Sequence, residues 1–572
     1  MKEKLLKIWG SDILFAFLLN AFFLAISILF TSFSYDGTAD YYSSVLIGQK
    51  HFYTNSGVNY ILAVIIGTIQ YALPGINCFV LFEVLASFAA FTSITFVFAD
   101  KYNKRKALIF TILLNIMFAL QHYASVNSYR TAALLCAAGF LLILLAVYQK
   151  RYSFSCWVGV VEILFGSFLN VTYFFVALGF GIAFFFGDLI AKKKYRLPFR
   201  KLFWYFRPFL LMFLLVTALT LGLSQFSFSV NHATNESTEF YEYSAAQTAV
   251  STLPYPSYSD HIEEFEKAGI TSEADYTLLK NGYYDSDNSL NANAIKAVRE
   301  IQQKENPKDF GSAAYSIFED NYVEAIQFDR SIIVIAVYLT VSLVFILYHK
   351  NRFSFFPLFY FIIGYLSSFL IRLFYNNTEN LTYGIWVFMI AMLLNSFNFE
   401  LERKEHTNKL RQNNGYLIIS ASIVIGLAVL NGVIYYNNMP KLEEENESRF
   451  LISELDRNPD CYYVMDPDTK EDFIKTTTNY VHPMWGFDDS YLSNLDDFGY
   501  FHNEQILRKR NLPENIYQAL LSKKKIYVID NNIVFKKEKY FSEHYTPNNA
   551  RAYYELVSEP QGYKIYKVMS NQ

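Results

Sequence analysis

Residues 11–42 read SDILFAFLLNAFFLAISILFTSFSYDGTADYY. Asp12 is the one charged side chain in 11–33, and about 20 such residues cross roughly 30 Å of hydrocarbon as a helix. A polar, acidic segment follows at once, which places that segment at a membrane surface. Further apolar blocks fall at about 76–98, 106–121, 129–148, 154–170, 172–191, 206–228, 331–348, 354–374, 382–398 and 415–436. The composition agrees. Of 572 residues, 53% are hydrophobic and only 18% charged, with 55 Phe, 45 Tyr and a mean hydropathy of +0.16. Soluble domains carry about 25% charged residues. The chain therefore reads as a polytopic α-helical membrane protein. The first block is too long for a secretory h-region and lacks a small-residue cleavage site, so it reads as an uncleaved anchor.

Charge sets the expected topology. Lys and Arg gather in cytoplasmic loops. The segment 59–73 is apolar but short, and it ends in Pro74-Gly75. If it lies along the interface rather than crossing, every basic loop falls on one side. Those loops run from Lys2 to Lys7, Lys101 to Lys106, Lys150 to Arg151, Lys192 to Lys201, Lys350 to Arg352 and Arg403 to Arg411, and together hold 21 Lys and Arg. The short loops opposite then hold Lys50 and Arg130. The expectation is about 11 transmembrane helices in the plasma membrane, with a cytoplasmic N-terminus. The expected units are an N-terminal transmembrane module, 1–228, with outer loop 34–58 and interfacial helix 59–73; an extracytoplasmic insertion, 229–330; transmembrane helices within 331–436; and an outward-facing C-terminal α/β domain, 437–572. In that last unit, 441–456 reads as helix, and 461–465, 525–529, 553–557 and 563–568 read as strands. Helices are expected at 258–268, capped by Asp260, and at 290–304.

Several function classes fall away. No basic stretch with interleaved aromatics points to nucleic acid. Cys78, Cys136, Cys156 and Cys461 form no disulfide or metal-thiolate framework. No Walker loop or dinucleotide fingerprint is present, and no two His share one helix face at ligand spacing.

Candidate chemistry concentrates where the spans meet the outer surface. Asp36 and Asp40 stand in the first outer loop, where a carboxylate can take a proton from an incoming hydroxyl. The alternative for Asp40 is a helix cap in a solvated loop. Glu83 lies inside the second block, where an acid is costly and has a partner or a task. Arg130 and Arg372 sit at the outer level of their spans, suited to holding a lipid phosphate bidentately or to reaching the phospholipid headgroups. Lys50 and His51 are weaker cationic candidates.

Ala39-Asp40-Tyr41, Pro74-Gly75-Ile76-Asn77 and Arg130-Thr131-Ala132, set on a single span, an acidic outer loop and an interfacial helix, resemble the GT-C superfamily of polyprenyl-phosphate-sugar-dependent glycosyltransferases and its uncharacterised bacterial members. One Asp directly precedes Tyr41; the second acid stands at Asp36. The resemblance implies a catalytic acidic residue in the first outer loop, a polyprenyl-phosphate sugar as donor, and an envelope glycan or lipid-linked acceptor. Carried onto this chain, it makes Asp40 the base, with Asp36 second, and makes Arg372 and Arg130 donor-phosphate ligands. Some members use a divalent cation; the residues here supply no evident metal cage. A repeat-unit polymerase is the alternative enzyme. A lipid or oligosaccharide transporter is the alternative class, and it would show paired charges buried mid-span.

Overall fold

The computed structural model describes residues 11–31, 34–35, 38–48, 58–150, 154–191, 196, 198–250, 254–285, 287–306, 330–348, 352–374, 379–397, 414–438, 447–480, 484–486, 494–499, 507–508, 510–522, 524–532, 535–547 and 550–571. Helix α1 (Asp12–Phe30) is capped by Ser11, whose hydroxyl accepts the Leu14 N–H. The next elements are β1 (Ser34–Tyr35), α2 (Thr38–Gly48), α3 (Tyr60–Ala72), α4 (Cys78–Lys101), α5 (Lys104–Tyr123), β2 (Ser125–Val126), α6 (Ser128–Gln149), α7 (Phe154–Leu169), α8 (Thr172–Ala191) and α9 (Phe199–Asn231). Among the described residues, six helices are long and apolar enough to cross a membrane: α1, α4, α5, α6, α8 and α9. The protein is a helical membrane protein. Helix α9 runs past both ends of its expected span and carries Pro208 within it.

The bundle has two distinguishable ends. At one, Lys104 pairs with Asp12, and Lys101 Nζ donates to the Asn395 carbonyl at 2.6 Å. At the other, β1 and β2 form a parallel pair, Ser34 opposite Ser125. There Asn77 Nδ2 donates to the Tyr35 hydroxyl at 2.8 Å. Helix α1 thus ends, and α4 begins, at the same end. Between them stands the 13-residue helix α3, about 20 Å long and short of the hydrocarbon thickness. The same end receives the close of α7, where the Asn59 N–H meets the Phe168 carbonyl at 2.9 Å, and the close of α9, where the Tyr60 N–H meets Ser227 Oγ at 2.9 Å.

Two kinds of contact hold these helices in lipid, where hydrophobic burial gives no drive. Asn20 Nδ2 donates to Thr95 Oγ1, and its own Oδ1 accepts from Asn115 Nδ2, each at 2.9 Å, so one amide ties α1, α4 and α5. Helices α6 and α7 approach through glycines. A Cβ at Gly159 would stand 2.7 Å from the Gly139 carbonyl oxygen, and one at Gly166 would stand 2.6 Å from Cys136 Sγ.

The polar segment after α9 contains α10 (Asn235–Val250), α11 (Glu273–Lys280) and α12 (Ala292–Glu305, capped by Asn291). Around Asp260 the chain makes a 3₁₀ turn, Tyr258–Asp260, before a short helix, Ile262–Lys267, rather than one helix capped there. Helices α13 (Arg330–Tyr348), α14 (Phe356–Phe374), α15 (Glu379–Ser396) and α16 (Asn414–Asn438) return to the bundle. The last segment holds α17 (Glu447–Arg457), β3 (Tyr462–Met465), α18 (Pro467–Tyr480), β4 (Leu495–Asp497), β5 (Ile526–Ile529), α19 (Phe535–His544), β6 (Ala552–Ser558) and β7 (Ile565–Ser570). The strands form one sheet in the order β4-β3-β5-β7-β6. The first three are parallel; β7 is antiparallel to both β5 and β6.

The segment after α9 packs onto this sheet. Tyr243, Tyr283, Ile295 and Val298 share one core with Tyr462, Val464, Ile526 and Val528. Tyr283 donates its hydroxyl to Asp466, and the Tyr284 N–H meets the Phe498 carbonyl at 2.8 Å. The sheet in turn sits against the bundle. The Asn77 N–H bonds the Met484 carbonyl at 3.0 Å, and the Gly486 N–H bonds the Gly75 carbonyl at 3.2 Å.

Candidate functional site

Asp40 lies in the first turn of α2 and is 3% exposed. Both its carboxylate oxygens stand 3.3 Å from the Ser128 N–H, the first residue of α6. Asn127 caps the same helix, accepting from the Arg130 N–H at 3.2 Å. The positive end of the α6 dipole therefore faces the Asp40 carboxylate. The cap geometry read from the sequence has a counterpart across the fold, because the Asp40 carboxylate accepts from the first N–H of α6. The small sheet that joins β1 to β2 brings these two helix starts together.

Arg130 occupies the first turn of α6, buried, with Nη2 donating to Ser125 Oγ at 3.5 Å. Glu83 lies on α4, in the electrostatic field of both Asp40 and Arg130. Its two carboxyl oxygens have no hydrogen-bond partner among the described residues. Asp40, Glu83 and Arg130 are thus brought together. Of the remaining candidates, Asp36, Lys50 and His51 lie outside the described residues. Arg372 falls in the last turn of α14, and its side chain is outside the described set.

Three further residues close α5 here: Gln121, His122 and Tyr123. All are buried, and the Arg130 charge reaches His122. The sequence reading missed them. The available signal was three consecutive polar side chains directly after the apolar run Ile116 to Leu120.

The C-terminal segment also meets α2. The Lys470 ammonium stands 4.8 Å from the Tyr42 ring centroid and pairs with Asp497 at the end of β4. Burial acts to discharge Lys470, but Asp497, and after it Tyr42, outweigh that and hold it charged. The Tyr42 phenol is pushed up by burial, against the pull of Lys470. Asp496 is pushed up to about 8, first by loss of solvent and then by its neighbour Asp497.

Elsewhere, Asp275, Glu543 and His544 bring ligand atoms within 4.8 Å of one another, between α11 and α19. There His544 Nε2 already bonds Asp275 Oδ1 at 3.1 Å, an ion pair that accounts for the grouping. The sequence matches no protein-family model and no curated protein.

Proposed function

We propose that the chain is a membrane glycosyltransferase of GT-C type that transfers a sugar from a polyprenyl-phosphate donor to a cell-envelope glycan or lipid-linked acceptor at the outer face of the membrane. The observation that carries it is the meeting of Asp40, Glu83 and Arg130 at the end of the bundle that also receives the sheet. A carboxylate next to a cation, at the depth of lipid headgroups, suits an acceptor hydroxyl and a phosphate leaving group.

In this reading Asp40 takes the proton from the acceptor hydroxyl as its oxygen attacks the anomeric carbon. The bond from that carbon to the phosphate oxygen breaks, and the polyprenyl phosphate leaves with the electron pair. Arg130, with Arg372, stabilises the phosphate charge. Asp36 orients the acceptor, and Lys50 and His51 are weaker cationic candidates for substrate binding.

The reading includes eleven crossings, with α7, α13, α14, α15 and α16 added to the six helices α1, α4, α5, α6, α8 and α9. The alternation of contacts supports this. The close of α15 lies at the Lys101 end, while Asn431 of α16 donates to the Met117 carbonyl at 3.0 Å, well along α5 toward the Asp40 end. It also puts the N-terminus in the cytoplasm and the C-terminal sheet outside.

The test is Asp40→Asn. The amide oxygen still accepts the Ser128 N–H, so folding is retained. Transfer, assayed with purified protein and a panel of polyprenyl-phosphate sugars and envelope acceptors, falls by about 10²–10⁴. Undiminished turnover rejects Asp40 as the base, and a larger loss in Asp36→Asn reverses the two roles.

A further inference from the structure

Helix α3 and the segment Met484-Trp485-Gly486 meet at one corner of the bundle. The stretch 59–78, NYILAVIIGTIQYALPGINC, holds no charged residue. Both flanks of α3 lie at the Asp40 end. Before it, the Asn59 N–H bonds the Phe168 carbonyl at 2.9 Å. Phe168 closes α7, and a Cβ at Gly166 of that helix would stand 2.9 Å from the Ala132 carbonyl oxygen, near the start of α6. After it, Asn77 donates to the Tyr35 hydroxyl. Helix α3 therefore lies across that end of the bundle, at the level where the spans leave the hydrocarbon.

One face of α3 packs inward through Leu62, Ala63, Ile66 and Gln70. Ile65 and Ile69 on the other face, with Tyr71 and Leu73 at its end, are exposed. An apolar surface of this kind is unfavourable in water in proportion to its area. Leu85, about two turns into α4, is exposed as well, so apolar exposure runs on to the side of a membrane-spanning helix.

The C-terminal segment extends this surface. Trp485 forms an antiparallel bridge with Ile76. The Asn77 N–H to Met484 carbonyl and Gly486 N–H to Gly75 carbonyl bonds hold the pair on either side. Successive residues of an extended segment point to opposite sides. Met484 enters the apolar core of the bundle, whereas Trp485 takes the side of its partner Ile76, at the rim of that core, and is 56% exposed.

We infer that Trp485 anchors the C-terminal sheet segment to the bilayer, its indole seated at the boundary between headgroups and acyl chains of the leaflet at this end. An indole suits that depth, because its body is apolar and its single N–H finds acceptors among the headgroups. Neither 59–78 nor 484–486 carries a Lys, Arg, Asp or Glu by which a protein partner could be selected through charge. Continuity with the side of α4 assigns the surface to lipid. The sheet segment is then held twice, by backbone hydrogen bonds to the start of α4 and by the ring in the interface. Trp485 has this role whatever reaction the chain performs.

The test is tryptophan fluorescence of the full chain in phosphatidylcholine nanodiscs whose acyl chains are unaltered, brominated close to the headgroup, or brominated close to the chain end. The emission of the unaltered protein minus that of Trp485→Phe isolates Trp485 among the five tryptophans. This difference should fall by about half or more with bromine close to the headgroup, and by less with bromine close to the chain end. Equal difference emission in the three lipids, as for a ring in water or under another protein, overturns the inference. So does stronger quenching from the chain end. Trp485→Tyr supplies the difference if the Phe variant does not fold. A nitroxide on Tyr71→Cys, with Cys461 replaced by Ser and the other three cysteines buried, gives an independent measure. It should collide more often with oxygen than with a water-soluble nickel complex, and the reverse order also overturns the inference.

Discussion

Replacing Lys537 by Met should be among the most damaging single changes in the sheet. Its ammonium lies 2.8 Å from Asp466 Oδ1, 2.7 Å from Asp530 Oδ2 and 3.0 Å from the Asn532 carbonyl oxygen. All three charged side chains are at most 2% exposed. Asp466 and Asp530 follow the ends of the neighbouring parallel strands β3 and β5, so their carboxylates stand side by side with the lysine between them. After Lys537→Met, Asp466 keeps the Tyr283 hydroxyl and the Thr469 N–H at 3.2 Å, and Asp530 keeps the Asn532 N–H at 2.8 Å. Breaking a buried pair by removing one partner costs about 3–5 kcal/mol. The Asp530 carboxyl is already raised by burial and then by Asp466, with Lys537 holding it down. Without the lysine it rises further, and the folded variant binds a proton that the unfolded chain releases. Stability then falls as pH rises through the window between the two values, so the deficit shrinks on going from about pH 8 to about pH 5. The assay is denaturant unfolding of the full chain, followed by near-ultraviolet tyrosine circular dichroism. The triple change Lys537→Met, Asp466→Asn and Asp530→Asn removes the uncompensated charge and should cost less than the single change. A single-variant loss below about 1 kcal/mol, or a triple variant worse than the single one, refutes the argument.

Gly159→Ala should lower the thermal stability of the purified protein by about 1–3 kcal/mol, because its methyl meets the Gly139 carbonyl on the facing helix; an unchanged melting curve means that α6 and α7 are farther apart. Asp496, raised to about 8, binds a proton on folding, so its contribution to stability falls as pH climbs from the ordinary carboxylate range towards about 8. Asp496→Asn should flatten that slope, and an identical pH profile in the variant rejects the assignment. Single cysteines at Ser56, Ser272 and Ser522 should all react with an impermeant thiol reagent in intact cells; labelling at 272 only after permeabilisation breaks the eleven-crossing topology.

What the sequence determines by itself is local. Hydropathy and charge act over one segment at a time, so the long helices α1, α4, α5, α6, α8 and α9 were legible as apolar runs. Strands β3 and β5 were legible for the same reason, as short Tyr, Val and Ile runs bounded by Asp466 and Asp530. Strand β4 was not, because Leu495-Asp496-Asp497 has no strand character of its own and is extended only because β3 pairs with it. Nor was the core shared by the segment after α9 and the C-terminal sheet. Each was read as a separate polar unit, yet the Tyr283 hydroxyl bonds Asp466, far along the chain. The candidate site divides in the same way. Asp40, Glu83 and Arg130 stood out singly, from residue type and depth. Their meeting was decided when β1 paired with β2 and set the start of α2 on the start of α6. Pairing and burial depend on which surfaces touch, and no single stretch of the chain carries that information.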